Sequence, residues 1–325
     1  MVSKPEIESS GSIYARAAIA AALRPAEWLM LAMVLALGAA CLVLVATMGR
    51  IVEWQGFALG IFAAMGIIAV GGYARVAKDA QRLANCAIGV GLFMGFTAFS
   101  TVFIYALFPL PRPMIDLELM VLDARLGYNW VGFVEGLATM PMIGTALGWL
   151  YMSSLGQIIF VILLLGVMGR EEILHRFLMV GILTMICAVS IWWLWPSVGP
   201  SAWSMPDDKA ARSIGLVFTP QYGAILLDLV QNGPAVIRSE EITGMVAFPS
   251  YHIIMALMVA WFSVRTPFFI PLALSSIAMV PATLSHGGHH LVDLIVGCLV
   301  FFSCLALTAR LIPLPKKPHQ PGRIG

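Results

Sequence analysis

The residues best equipped for chemistry lie late in the chain. Four of the six histidines, His252, His286, His289 and His290, fall between positions 252 and 290, with Asp293 just beyond them. His289 and Asp293 are spaced i and i+4, so on a helix they share one face. A carboxylate one turn away accepts the proton of one imidazole nitrogen, fixes the tautomer and leaves the other nitrogen as a nucleophile. His252 opens a different apolar segment behind Pro249 and Ser250, where a helix N-terminus would present backbone donors to an anion. A nucleophilic histidine, an orienting aspartate and a second histidine that protonates a leaving oxygen make a set suited to phosphoryl transfer through a phosphohistidine. Arg112, held between Pro111 and Pro113, is a candidate clamp for phosphate oxygens. Ser250, Tyr251, His286 and Gly287 are the remaining candidates for phosphate binding, with Arg238 and Gly288 ranked below them.

The elements that carry these residues follow from composition. Hydrophobic residues make up 60% of the chain and charged residues 11%, against about 45–50% and about 25% in soluble domains. Mean hydropathy is +0.91. The chain is therefore expected to be an all-α polytopic membrane protein. With 19 Lys+Arg against 17 Asp+Glu the net charge is +2, too balanced for electrostatic binding of nucleic acid. The five cysteines show no CxxC or Cys/His spacing, so neither a disulfide framework nor a structural zinc site is expected. The first apolar run, Trp28–Met48, is longer than a signal-peptide core.

A spanning helix needs roughly 20 apolar residues. Eight candidate spans result, over about 28–48, 54–73, 87–109, 149–168, 173–195, 249–264, 267–285 and 289–309. The expected organisation is a cytoplasmic tail and interfacial helix over 1–27, two N-terminal spans over 28–85, a six-helix catalytic membrane domain over 86–311 and a second tail over 312–325. If the N-terminus is cytoplasmic, the alternating topology puts 13 Lys and Arg on that side and 6 on the other. The positive-inside rule then places both termini inside and two longer loops, about 110–148 and 196–248, outside. In the first of these, apolar residues recur at helical spacing from Met114 to Leu126, so an interfacial helix is expected there. Its acids Asp116 and Asp123 read as that helix's solvated side. Both histidine clusters come to the outer face. In a bacterium this would be the inner membrane, with the site facing the periplasm.

At these motifs the chain resembles the type 2 phosphatidic acid phosphatase superfamily. The second motif of that superfamily, Pro-Ser-Gly-His, is matched by Pro249-Ser250-Tyr251-His252. The third, which ends His-x-x-x-Asp, is matched by His289-His290-Leu291-Val292-Asp293. The larger residue in place of glycine and the doubled histidine resemble the inositol phosphorylceramide synthase branch and its bacterial relatives, as does the run from Asp116 through Asp123 to Trp130. The resemblance covers roughly residues 105–305. It implies a six-helix catalytic core, a lipid phosphate substrate, no metal or other cofactor, His289 as nucleophile, Asp293 as its orienting partner and His252 as acid and then base.

The departures are specific. The first motif, Lys-x6-Arg-Pro, keeps Arg112-Pro113 but has Tyr105 at the lysine position. The third motif opens on Ser-Arg in the ordinary phosphatases, and Ala282-Thr283 stand there instead. The synthase-like branch also lacks that arginine. Rival readings remain, among them a single zinc ion held by His252, His289 and Asp293. His286-Gly287-Gly288-His289-His290 matches the HxxHH box of di-iron membrane hydroxylases and desaturases, although such sites draw on about eight histidines facing the cytoplasm. A transporter or lipid-binding scaffold is the non-enzymatic alternative, but the ionisable residues gather at one interface rather than at mid-membrane.

Overall fold

The computed structural model describes residues 20–242 and 244–313. The N-terminal tail and the expected interfacial helix up to residue 19, and the C-terminal tail from residue 314, lie outside the described residues. Among the described residues the fold is helical, apart from a single bridge between Val52 and Ile237.

Among the described residues, six helices are long and apolar enough to cross a membrane. They are α1 (Pro25–Thr47), α2 (Trp54–Lys78), α3 (Gln81–Ala106), α8 (Glu171–Leu194), α12 (Phe269–His286) and α13 (Leu291–Leu311). Two of the eight expected spans are not single long helices. The span expected over 149–168 is split at Ser153 into α6 (Pro141–Met152) and α7 (Ser154–Val167), and that over 249–264 is reduced to α11 (Tyr251–Phe262). At 1.5 Å rise per residue, a 12-residue helix covers about 18 Å of a hydrocarbon core about 30 Å thick. The chain N-terminal to α11 is held instead by specific contacts, because Ser250 N–H donates to the Asp293 carbonyl at 3.0 Å. Before α6 the helix α5 (Trp130–Ala138) meets it at a bend of 119°, so this pair is a broken or re-entrant span.

The expected interfacial helix is present as α4 (Asp116–Arg125). The second loop folds into α9 (Asp208–Ser213) and α10 (Pro220–Asn232), joined by irregular chain. Aromatic and aliphatic residues from both loops pack on the ends of α3 and α8, with Phe108 and Trp192 fully buried in edge-to-face contact at 5.4 Å. The loops are therefore part of the packed protein.

The two N-terminal spans are tied to the rest by a buried charge cluster. Glu27 on α1 pairs with Arg75 on α2, which also donates to Asn85 on α3 at 2.9 Å, and His175 on α8 approaches Glu27 at 3.1 Å. Buried charges are tolerated when paired and fully hydrogen-bonded. This cluster sits where α1, α3 and α8 begin and α2 ends, the end of the bundle away from His252 and His289.

Candidate active site

The loop 287–290 between α12 and α13, the start of α11 and helix α6 enclose the site. α13 begins at Leu291, and Asp293 in its first turn accepts the His290 backbone N–H at 2.8 Å through Oδ2. The same oxygen lies 3.1 Å from His289 Nδ1. A carboxylate only accepts, so Nδ1–H donates and Nε2 keeps its lone pair. That nitrogen faces the Ser250 hydroxyl at 3.4 Å. His252, in the first turn of α11, has its ring centroid 6.3 Å from that of His289.

Both rings open on one cavity of about 560 Å³, also lined by Tyr105, Tyr151, Phe218, Tyr222, Tyr251 and Gly287. Among the described residues no lysine or arginine lines it. A smaller apolar cavity of about 100 Å³ shares Thr101, Ile104, Leu155, Met185, Tyr251 and Met255 with the first. The two therefore adjoin, the smaller lying between α3, α7, α8 and α11.

Tyr151 on α6 lies flat against His252, with ring centroids 4.0 Å apart. Gly287 is required by close approach. A Cβ there would stand 2.8 Å from both the His289 and Tyr151 rings and 2.6 Å from the Thr283 carbonyl. Gly199, in the turn before α9, adopts φ +83 and packs against the Gly288 carbonyl so closely that no side chain fits.

The structure separates Arg112, His286 and Arg238 from this centre. Arg112 is exposed on the surface, its guanidinium 5.3 Å from the Trp193 ring centroid, and does not reach the cavity. A clamp by Arg112 is therefore not seen, because cation–π stacking on Trp193 holds the side chain elsewhere. His286 is fully buried and its Nε2–H donates to the Gly144 carbonyl at 2.9 Å, a helix-to-helix contact. Arg238 pairs with Glu53 and Glu241 at the surface. Ser250 spends its amide on Asp293, so its hydroxyl is what it offers the site, and Tyr251 directs its hydroxyl to the Gly181 carbonyl at 3.2 Å. Tyr105, at the position of the motif lysine, lines the cavity.

Asp116 and Asp123 overturn their expected solvated role, being 1% and 4% exposed. Asp123 Oδ2 lies 2.7 Å from His290 Nδ1, while its Oδ1 accepts the Leu291 backbone N–H at 2.9 Å. Asp116 Oδ1 accepts from Ser197 Oγ, Val198 N and Gly199 N and stands 3.6 Å from His290 Nε2. Burial disfavours charge on His290, but the two carboxylates outweigh it and push the ring from its ordinary 6.5 up to about 9. The sequence signal for this face was the i, i+7 spacing of two acids, which puts both on one side of α4. Tyr151 carried no signal, since its partner is a hundred residues away.

Among the described residues, no group of three or more His, Cys, Asp or Glu side chains has the geometry to hold a metal ion. The HxxHH run is divided in space, since His286 faces α6, His289 faces the cavity and His290 faces α4. No curated protein and no solved structure matches the chain. A family model described as PAP2 superfamily matches residues 117–307, more than half of the chain and including His252, His289 and Asp293, and leaves out Arg112 and the two N-terminal spans. With its apolar helices and this match, the chain belongs to the PAP2 superfamily, a group comprising phosphatases and phosphotransferases.

Proposed function

We propose that the protein is a membrane lipid phosphotransferase or phosphatase that works through a phosphohistidine on His289. The observation that carries this reading is the convergence of His252 and His289 on one cavity, with Asp293 directly behind His289. His289 Nε2 attacks phosphorus, the P–O bond to the departing alcohol breaks, and His252 gives that oxygen its proton. Asp293 holds the imidazole in the reactive tautomer and offsets the charge it gains. Water or a second alcohol then attacks the phosphohistidine, gives its proton to His252 and releases His289.

The substrate would be an amphiphile. Its phosphorus would sit between the histidines and its hydrocarbon chain in the apolar space that leads past Met185 and Met255. The headgroup would enter from the outer leaflet, the side assigned by the distribution of Lys and Arg. The missing cations bear on its charge. A phosphate monoester brings close to two negative charges and a phosphodiester only one. A cavity without lysine or arginine, next to three buried carboxylates, favours the singly charged diester. The Phe248-Pro249-Ser250-Tyr251-His252 and His289-His290 spellings point the same way, towards a transferase of the inositol phosphorylceramide synthase type with a lipid alcohol as acceptor.

The test uses purified full-length protein with a phosphodiester lipid and a phosphate monoester lipid of matched chains, with and without diacylglycerol or ceramide as acceptor. Faster turnover of the diester, dependent on the acceptor, is expected. His289→Ala should lose at least about a hundredfold in kcat. Near-wild-type turnover in a folded His289→Ala protein would remove the mechanism.

A further inference from the structure

The second histidine of the pair has a place in the site that the reaction as written does not use. His290 is fully buried, and both ring nitrogens face carboxylates, Asp123 at 2.7 Å and Asp116 at 3.6 Å. A neutral imidazole has one N–H and one lone pair. Whichever nitrogen carried that lone pair would turn it towards an ionised acceptor, which is repulsive. Only the doubly protonated ring suits both neighbours, and one cation there also offsets two buried anions that would otherwise lie together away from water.

This residue is also tied to Asp293, which accepts its backbone N–H at 2.8 Å. The Asp293 carboxylate is fully buried, its Oδ2 is shared by His289 Nδ1 and the His290 amide, and its Oδ1 has no hydrogen-bond partner. The ionisable groups around His290 are Asp116 and Asp123 from α4, Asp293 from α13 and the neighbouring His289. Tyr128, following α4, places its hydroxyl on the His289 carbonyl at 3.4 Å. We propose that His290 is a positioning residue: a buried imidazolium, clamped by Asp116 and Asp123, that keeps Asp293 ionised and so holds His289 in the nucleophilic tautomer. The inference rests on His289 being the nucleophile. It makes α4 part of the catalytic machinery, because the charge that sets up the nucleophile is anchored on that helix.

Two measurements test it, the first independent of activity. In full-length protein with ¹⁵N-labelled histidine, one imidazole should remain doubly protonated at pH 8, and that signal should vanish in His290→Gln and titrate lower in Asp123→Asn. The second measurement is steady-state kinetics with the phosphodiester lipid. His290→Gln should lower kcat by between about tenfold and a hundredfold, by analogy with the loss when a partner that orients a metal-bound histidine is removed, with KM changed less than about threefold. His290→Lys, which restores the charge, should recover at least about tenfold of that loss, a rescue that a space-filling role would not produce. Should His290→Gln fail to fold, Asp116→Asn keeps the ring and should lower kcat with KM held. A histidine signal that is neutral at pH 8, or a folded His290→Lys no faster than His290→Gln, would overturn the proposal. A doubly protonated His290 in a protein without phosphoryl-transfer activity would instead count against the proposed function.

Discussion

Tyr151 lies on His252 with ring planes 23° from parallel and centroids 4.0 Å apart, joining the broken α5–α6 span to the first turn of α11. The stack fixes the plane of the His252 ring, and so the direction in which it delivers a proton. Only one of the two rings comes from a motif. The other comes from a helix that the sequence marks as ordinary lipid-facing apolar chain.

Removing the stack should therefore impair proton delivery more than binding. Tyr151→Phe keeps the ring and should stay within about threefold of wild type. Tyr151→Ala should lower kcat by about tenfold or more, in line with the 10²–10⁴-fold worth of a positioned acid. A leaving group that needs no protonation, such as p-nitrophenolate, should restore much of the Tyr151→Ala loss. Equal losses with both leaving groups would assign Tyr151 a packing role only.

Gly287 leaves no room for a methyl group between the His289 and Tyr151 rings. Gly287→Ala must displace one ring or the Thr283 carbonyl, and since overpacking typically costs about 1–3 kcal/mol, the protein should fold with a lowered Tm. Its kcat should fall by at least about tenfold because the displaced ring is part of the site. Thermal unfolding in detergent and turnover on the same sample would check both.

The junction of the two cavities should set how long a hydrocarbon chain is accepted. Met185 lines both and lies at the boundary between them. Met185→Trp should fill the passage, raising KM for long-chain lipids at least about fivefold and leaving short-chain analogues little changed. A uniform effect across chain lengths, measured on a series of matched lipids, would place the chain elsewhere.

The Glu27–Arg75 pair should matter for assembly rather than chemistry. Glu27→Gln leaves a buried arginine without its counter-charge, a change that costs about 3–5 kcal/mol in buried pairs. Tm should fall markedly, while kcat per folded molecule stays within about twofold, since the cluster lies at the other end of the bundle. A large kcat change with unaltered Tm would give the N-terminal spans a direct role in turnover.

Much of this molecule was legible in one dimension. Apolar runs of about 20 residues marked six helices, with ends up to six residues out, because a lipid solvent imposes length and composition on any helix that crosses it. The two remaining runs did not become single long helices. Hydropathy reports only that residues avoid water, and it does not report that the chain before α11 is pinned to Asp293 or that the chain breaks at Ser153. The i, i+4 spacing of His289 and Asp293 was legible for a similar reason, since both partners ride on the same helix turn and no distant contact is needed to bring them together.

Other parts depended on long-range packing. Asp116 and Asp123 looked like a wet face because charged residues on a short amphipathic helix usually are. Asp123 is dry because the loop carrying His290 folds over it from 167 positions away, and Asp116 because the chain at Ser197–Gly199 closes on its carboxylate. Arg112 looked like a phosphate clamp from its motif neighbour Pro113, and Trp193 holds it at the surface instead. Helix period and hydrophobic length, which act between near neighbours, determined from sequence alone that this is a membrane protein with four of its six histidines gathered at one end. Only the tertiary structure decided which of those histidines share a cavity, which is held between two carboxylates and which joins two helices. Those outcomes depend on contacts between residues that the chain keeps far apart.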